Sequence, residues 1–178
     1  LPVRPFPISI PTMSTACKAL FLDRDGVINR ERGAHTWTVE DFEVLPTVEE
    51  ALVEARMAGY RLVVITNQSG IGLGLYGNAE VERLHGLLAE RLARSDVHVD
   101  DILYCPHHPS KGRCLCRKPG GLLLEKAMAR HGISPSRSWF IGDRERDMEA
   151  AGSVGVRGML IASNDDLLPV VRKILNNP

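Results

Sequence analysis

Short apolar runs alternate with longer amphipathic stretches along most of the chain. The apolar runs have the length of buried strands, and the leucines within 84–92 recur at the spacing of one helix face. The predicted strands span residues 18–22, 61–65, 101–104, 139–141 and 156–161. The predicted helices span residues 47–58, 78–94, 121–131, 145–151 and 165–175. This alternation predicts one α/β domain over residues 17–178, with helices on both faces of a parallel sheet.

The first sixteen residues depart from this pattern. Residues 1–16 contain four prolines and no continuous apolar stretch. They predict an irregular N-terminal arm, or a segment that comes from expression or from the choice of start site, with Met13 as the start. No run in the chain reaches the roughly 20 apolar residues that a membrane-spanning helix needs. We therefore expect a cytoplasmic protein.

The overall charge is balanced. Lys plus Arg and Asp plus Glu both number 22, so the formal net charge is zero, and aromatic residues make up 5%. Such a chain lacks the broad basic surface of a nucleic-acid-binding protein. We expect a monomer that binds a small molecule, with no nucleic-acid or membrane partner.

Three polar clusters directly follow predicted strands. Asp23-Arg24-Asp25 follows the first strand, residues 66–69 follow the second and Asp143-Arg144 follows the fourth. Ligands of open parallel sheets bind at the carboxyl ends of the strands. The three clusters should therefore converge in one crevice.

Asp23 and Asp25 place two carboxylates close together. Their joint ionisation is unfavourable unless a cation lies between them, and Mg²⁺ prefers such oxygen ligands. Asp143 supplies a third carboxylate, and the set suits phosphoryl transfer to an aspartate. The alternative for a lone Asp-x-Asp-Gly is a turn or a calcium loop. The apolar strands before Asp23 and Asp143 argue against that alternative.

Two further motifs are compatible with phosphate binding but are weak alone. Thr66 and the backbone N–H groups after it can form an anion-binding concavity. The same residues are typical of an ordinary turn at a strand end, and this cluster taken by itself favours the turn. Arg117-Lys118 would place cations beside a phosphate, although an isolated basic pair is usually solvated.

The four motifs together resemble those of phosphatases of the haloacid dehalogenase superfamily. In chain order they are Asp23-Arg24-Asp25-Gly26-Val27-Ile28-Asn29, Thr66-Asn67-Gln68-Ser69-Gly70, Arg117-Lys118-Pro119 and Gly142-Asp143-Arg144. The resemblance runs from about Lys18 to the C-terminus. It implies a Rossmann-like fold with no large cap domain and a magnesium-dependent phosphoric monoester hydrolase.

The resemblance also implies roles for individual residues. Asp23 is the nucleophile that becomes an aspartyl-phosphate, and Asp25 protonates the leaving oxygen and then activates water. Thr66 and Lys118 hold the phosphoryl group. The implied magnesium ligands are Asp23, Asp143 and the backbone carbonyl of Asp25, and the implied substrate contacts are Gly33, Asn67, Gln68, Ser69, Arg117 and Arg144. Asp147 is either a partner of this site or an acid on the helix surface.

A cysteine-rich loop lies between the third strand and Arg117. Cys105, His107, Cys114 and Cys116 form a Cys₃His set with the spacing of a closed tetrahedral Zn²⁺ site. Buried cysteines beside solvent-facing histidines are the alternative. The relatives carry such a loop, which implies a structural zinc that positions Arg117 and Lys118. The Cys-x-His spacing selects His107 over His108, and Cys17 is read as an ordinary residue.

The enzymes that this chain resembles form two branches, which differ in their substrate. The run from Thr66 to Gly70 resembles enzymes of the heptose bisphosphate branch, because histidinol-phosphate enzymes carry Asp where this chain has Ser69. Two other features resemble the histidinol-phosphate branch: the short loop between His107 and Cys114, and the arginine at position 144. We expect hydrolysis of the 7-phosphate of a heptose 1,7-bisphosphate, in the synthesis of nucleotide-heptose precursors of lipopolysaccharide. The alternatives are a histidinol-phosphate phosphatase and a zinc-ordered module that binds sugar phosphates without turnover.

A bisphosphate substrate needs a second cationic group for its distal phosphate. The planar fork of an arginine suits a phosphate, and Arg117 is the clearest candidate. Arg144, Arg30 or Arg32 would assist it.

Overall fold

The computed structural model describes residues 16–177, so the expected irregular arm lies outside the described residues except for Ala16. The strands are β1 (Ala19–Leu22), β2 (Arg61–Asn67), β3 (Asp101–Cys105), β4 (Trp139–Gly142) and β5 (Arg157–Leu160). The helices are α1 (Val48–Met57), α2 (Asn78–Ala93), α3 (Leu122–His131), α4 (Glu145–Ser153) and α5 (Leu167–Asn176), with short 3₁₀ turns at Pro109–Lys111 and Pro135–Arg137. Within residues 16–177, no helix has the length and apolar character needed to cross a membrane.

The five strands form one parallel sheet in the order β3-β2-β1-β4-β5, which confirms the predicted α/β class. Strand β2 continues two residues beyond the predicted end at Ile65. Thr66 and Asn67 pair with Tyr104 and Cys105 of β3, and this pairing extends the strand. Thr66 therefore belongs to the sheet rather than to a turn after it.

Side chains of β1 alternate between two hydrophobic cores, as the pleat of a strand requires. Leu20 and Leu22 belong to the core that α1, α2 and α5 cover. Ala19 and Phe21 belong to the core that α3 and α4 cover. All four side chains are at most 1% exposed. Strand β1 is thus held from both faces, which gives the residue after it, Asp23, a rigid support.

Candidate active site

A cavity of about 410 Å³ lies at the carboxyl edge of the sheet. It is lined by Asp23, Asp25, Glu31, Gly33, Ala34, His35, Thr36, Thr66, Asn67, Gln68, Ser69, Tyr76, Arg117, Asp143, Arg144 and Arg146. The predicted clusters after β1, β2 and β4 therefore meet in one place. Because the strands are parallel, their carboxyl ends share an edge, and this topology brings distant motifs together.

A buried ion cluster joins Asp23 to Lys118 and, through Lys118, to Asp147 of α4. The ammonium of Lys118 lies 2.8 Å from Oδ1 of Asp23 and 2.8 Å from Oδ1 of Asp147. It also donates to the carbonyl oxygen of Ile65 at 2.8 Å. The contact with Asp147 is an ion pair without hydrogen-bond geometry, since that oxygen has no hydrogen-bond donor. Lys118 is 1% exposed, so it is a fixed charge beneath the cavity rather than a solvated surface lysine.

Asp147 is a buried member of this site. Its side chain is fully buried, and its Oδ2 accepts a hydrogen bond from the backbone N–H of Arg144 at 3.1 Å. Asp147 is the third residue of α4, and its bond to the N–H of Arg144 caps that helix. Of the two interpretations that the sequence left open, the structure selects the partner of the site.

Three carboxylates form a group that fits a divalent cation. One oxygen from each of Asp23, Asp143 and Asp147 lies within 4.8 Å of the others. Burial raises the pKa of Asp23 to about 6, and Lys118 opposes that rise. Lys118, together with Arg144 at 3.3 Å from Asp143, still leaves the three carboxylates with an excess of negative charge. A hard cation with oxygen ligands would offset the remaining charge, so Asp23 and Asp143 fit Mg²⁺, while Asp147 is held by Lys118 and the Arg144 N–H.

Two glycines allow the backbone to approach these carboxylates. A Cβ atom at Gly26 would collide with the carboxylate of Asp143, and Gly26 has a φ of +86°. A Cβ atom at Gly142 would collide with the side chain of Asp147. The glycine after Asp25 and the glycine before Asp143 are therefore required by the packing of the site itself.

The Asp25 side chain is not part of the three-carboxylate group and has hydrogen-bond partners of its own. Its Oδ1 accepts hydrogen bonds from Nη2 of Arg24 at 3.0 Å and from Nδ2 of Asn29 at 2.8 Å. Its Oδ2 accepts from Nε2 of Gln68 at 3.1 Å. Three donors thus fix the Asp25 carboxyl at the cavity wall. This orientation leaves the Asp25 backbone carbonyl, and not its side chain, for the predicted magnesium contact.

Thr66 has a hydroxyl proton free to point into the cavity. Its Oγ1 accepts a hydrogen bond from Nε2 of Gln68 at 2.9 Å, so its own O–H can donate elsewhere. The Oε1 of Gln68 accepts from the hydroxyl of Tyr76 at 3.0 Å. Gln68 is 2% exposed, and both ends of its amide are used within the protein. Asn67 likewise bonds to the backbone of Lys118, through its Oδ1 at 3.1 Å and its Nδ2 at 3.2 Å.

Arg24 is a fully buried cation next to the predicted nucleophile. Its Nη2 donates to Asp25 and to the carbonyl oxygen of Thr36 at 2.9 Å. Its Nη1 lies 3.4 Å from Nε2 of His85, on α2. Burial and the charge of Arg24 lower the pKa of His85 to about 3, so His85 is neutral and can accept that bond. Arg24 therefore ties the strand end to the loop around Thr36.

The arginines proposed for a second phosphate divide into two groups. Arg117 and Arg144 line the cavity. Arg144 also lies 3.3 Å from Asp143. Arg30 and Arg32 do not line it, because Arg30 pairs with Glu43 at 2.7 Å and Arg32 pairs with Asp41 at 2.6 Å. The structure thus leaves Arg117 and Arg144 as the predicted phosphate-binding arginines at the cavity.

The four predicted zinc ligands form a second cluster. The Sγ atom of Cys105 lies 3.6 Å from that of Cys114 and 3.2 Å from that of Cys116, and 3.5 Å from Nδ1 of His107. Zinc–sulfur bonds of about 2.3 Å in a tetrahedron place the sulfurs roughly 3.8 Å apart, close to this spacing. Burial raises the pKa of the Cys105 thiol to about 12, so it becomes a thiolate only with a cation bound. The donor set and its spacing fit Zn²⁺.

Several cavity residues carry no motif that sequence reasoning could detect. They are Glu31, Ala34, His35, Thr36, Tyr76 and Arg146. Most lie in the irregular segments after β1 and β2, where no periodicity indicates which side chains face inward. Gly33 was predicted from the resemblance and does line the cavity.

The family comparison agrees with this geometry. A family model of haloacid dehalogenase-like hydrolases (HAD-hydrolase-like) matches residues 115–169. A D-glycero-beta-D-manno-heptose-1,7-bisphosphate 7-phosphatase of Pseudomonas putida is 40% identical over 144 residues, which cover 81% of this chain and 82% of the relative. The enzyme of the same description from Helicobacter pylori strain J99 is 41% identical over 156 residues, covering 87% of this chain and 88% of the relative.

A solved structure gives the same result. The D,D-heptose 1,7-bisphosphate phosphatase of B. bronchiseptica, complexed with magnesium and phosphate, superposes with a TM-score of 0.84. It is 29% identical, and the match covers 90% of this chain and 99% of that one. The agreement extends over nearly the whole of that protein, so it concerns the complete domain and not one shared motif.

Proposed function

The chain belongs to the D-glycero-β-D-manno-heptose-1,7-bisphosphate 7-phosphatases of the haloacid dehalogenase-like hydrolases, and we propose that it removes the 7-phosphate of that sugar bisphosphate. The observation that carries the proposal is the buried group of Asp23, Lys118 and Asp147 beneath a cavity that Asp25 and Thr66 line. The reaction would serve the synthesis of nucleotide-heptose precursors of lipopolysaccharide.

The first step is attack on phosphorus. A carboxylate oxygen of Asp23 forms a bond to the phosphorus of the 7-phosphate, and the bond from phosphorus to the sugar oxygen breaks. Asp25, in its protonated form, donates a proton to that departing oxygen. The products of the step are the sugar with a free 7-hydroxyl and an aspartyl-phosphate at Asp23.

The second step is hydrolysis of the aspartyl-phosphate. Asp25, now ionised, takes a proton from a water molecule whose oxygen attacks the phosphorus. The bond to Asp23 breaks, and inorganic phosphate leaves. The bonds from Arg24, Asn29 and Gln68 hold Asp25 in one place through both steps.

The phosphoryl oxygens are held by groups that are already ordered. The free hydroxyl proton of Thr66 donates to one oxygen. Lys118 loses one of its two charged partners when Asp23 becomes phosphorylated, and its ammonium, still paired with Asp147, then donates to the phosphoryl group. A Mg²⁺ ion held by Asp23, Asp143 and the backbone carbonyl of Asp25 would reduce repulsion between the anionic nucleophile and the anionic phosphate.

Zinc is proposed as a structural metal in the loop of Cys105, His107, Cys114 and Cys116. Arg117 directly follows the last of these ligands, and its Nη1 donates to the carbonyl oxygen of His107 at 3.3 Å. An ordered loop therefore fixes the backbone from which Arg117 reaches the cavity. Lys118 is held independently by buried contacts.

Purified protein should contain one Zn²⁺ per chain, and Cys114→Ser should lose it. We expect the KM of this variant for the bisphosphate to rise more than its kcat falls, because Arg117 loses its support while Lys118 keeps its own. Metal analysis and steady-state kinetics measure both effects. Cys17→Ser, which alters a cysteine far from the loop, is the control and should keep its zinc. Zinc-free wild-type protein with full activity would contradict the proposal.

The substrate is tested by direct comparison of three phosphate esters in the presence of Mg²⁺. We expect kcat/KM to be highest for the β anomer of D-glycero-D-manno-heptose 1,7-bisphosphate, lower for its α anomer and lowest for histidinol phosphate. Arg117 and Arg144 offer two guanidinium groups to a substrate with two phosphates, which favours both anomers over histidinol phosphate. The β anomer is placed first because it is the anomer named for the relatives. Phosphate release is the measurement. A preference for histidinol phosphate would replace the proposed substrate, and binding without any turnover would favour a sugar-phosphate-binding module.

A further inference from the structure

Three aromatic side chains form a continuous cluster at one rim of the cavity. The rings of Trp37 and Tyr76 stack with centroids 5.9 Å apart and an interplanar angle of 14°. The ring of His35 meets Tyr76 edge-on with centroids 6.0 Å apart. His35 and Tyr76 line the cavity, and Trp37 backs Tyr76 while 38% of it stays exposed. We call His35, Trp37 and Tyr76 the aromatic rim.

Two buried hydrogen bonds fix the aromatic rim to the catalytic residues. Arg24 donates to both Asp25 and the carbonyl oxygen of Thr36, the residue between His35 and Trp37. The hydroxyl of Tyr76 donates to Oε1 of Gln68. The rings are thus ordered before any ligand arrives, which lowers the entropy lost on binding.

The aromatic rim differs in chemistry from the rest of the cavity. Arg117, Arg144 and Arg146 supply the cavity's cations, and the carboxylates lie at its base. These charges suit phosphate groups and a metal, but they leave the carbon skeleton of a sugar without an apolar contact. An aromatic face packs well against the C–H face of a sugar ring, and the imidazole of His35, 3.4 Å from Oγ of Ser69, adds polar atoms for its hydroxyls.

We propose that the aromatic rim is the wall that recognises the sugar skeleton of the substrate, and that Gln68 couples it to the catalytic residues. Nε2 of Gln68 donates to both Asp25 and Thr66, while its Oε1 accepts from Tyr76. Gln68 is thus a positioning residue, whose amide orientation is set from the rim. This inference rests on the proposed function, because it names what recognises the sugar of that substrate.

Trp37→Ala and His35→Ala test the wall. Each should raise the KM for the heptose bisphosphate roughly three- to tenfold, the size of one aromatic contact. His35→Ala removes a ring that lines the cavity, and Trp37→Ala removes the ring that holds Tyr76 in place. The kcat and the inhibition constant of inorganic phosphate should stay unchanged, because phosphate binds beside Asp23. Trp37→Phe, which keeps a stacked ring, should retain the wild-type KM. Met57→Ala, at an 84% exposed position on α1, is the surface control.

Tyr76→Phe tests the coupling. It should change kcat and leave KM unchanged, the opposite of the effect expected for the two wall variants. The ring and its stacking on Trp37 remain, but Gln68 loses the hydroxyl donor to Oε1 that orients its amide together with the acceptors Asp25 and Thr66. We therefore expect kcat to fall severalfold with KM unchanged. A kcat equal to that of the wild type would contradict the coupling.

An unchanged KM in both Trp37→Ala and His35→Ala would overturn the wall. So would a parallel rise of KM and of the phosphate inhibition constant, which would indicate a loosened site. If Trp37→Ala does not fold, Trp37→Leu, which keeps bulk without an aromatic ring, is compared with Trp37→Phe. If the wild type leaves heptose bisphosphate intact, the proposed function fails. The wall is then tested by the KM of the same variants for whichever hexose phosphate the wild type hydrolyses.

Discussion

The Asp23→Asn protein should keep its fold and lose at least about ten-thousandfold in kcat, the scale on which removal of a nucleophile acts. Asparagine has the shape of aspartate, so the bond from the backbone N–H of Arg24 to Oδ1, 2.7 Å long, can persist. The amide has no anionic oxygen to attack phosphorus, and no aspartyl-phosphate can form. Phosphate release under saturating substrate and Mg²⁺ measures the loss.

Two matched variants make this result specific. Asp25→Asn keeps the nucleophile, so acid-quenched protein should still carry covalent phosphate, whereas Asp23→Asn should carry none. Asp96→Asn changes an acid beyond the end of α2, at a φ of 57° that asparagine adopts readily, and should leave the rate unchanged. Covalent phosphate on the Asp23→Asn protein would place the nucleophile at another residue.

Lys118→Met should destabilise the fold as well as impair catalysis. The substitution leaves Asp23 and Asp147 buried without their cation, and breaking such a buried pair costs about 3–5 kcal/mol of the free energy of unfolding. Loss of one phosphoryl-holding donor should lower kcat roughly a hundred- to a thousandfold. Chemical denaturation in Mg²⁺-free buffer measures the first effect. Lys126→Met, at an exposed position on α3, is the control and should change neither.

The loss of stability in Lys118→Met should depend on pH in a defined direction. Burial already raises the pKa of Asp23 from 3.8 to about 6, and Lys118 lowers it, so removing Lys118 raises it further. The folded variant then holds a proton that the unfolded chain has lost, and its stability falls as pH rises from 3.8 through the folded pKa. The deficit relative to wild type should be largest at pH 7.5 and smaller at pH 5. A deficit that grows on acidification would contradict the assignment.

The strands could be predicted because each is a short apolar run with polar residues after it. The run before Asp23 matches β1 to within one residue, and the periodicity of 78–94 matches α2 equally well. The end of β2 was predicted too early. Its last two pairs join residues of β3 that lie 38 positions further along the chain, and local composition cannot show that pairing.

The site could be predicted where a short motif holds both the residue and its neighbours. Asp23, Asp25 and Asp143 follow strands directly, and the spacing of Cys114 and Cys116 marks the metal loop. Asp147 stayed ambiguous because a helix-surface acid and a buried one look the same in sequence. Its full burial and its 2.8 Å contact with Lys118 decide between them.

The α/β class, the strand ends that carry the carboxylates and the zinc-type ligand set could all be predicted from sequence, because they are properties of local periodicity and spacing. The tertiary structure decided which arginines reach the cavity: Arg117 and Arg144 do, while Arg30 is paired with Glu43. It also decided that His35, Trp37 and Tyr76 meet, since two loops separated in sequence are packed together there. Contacts between distant irregular segments depend on packing in three dimensions, and no periodicity in the chain records them.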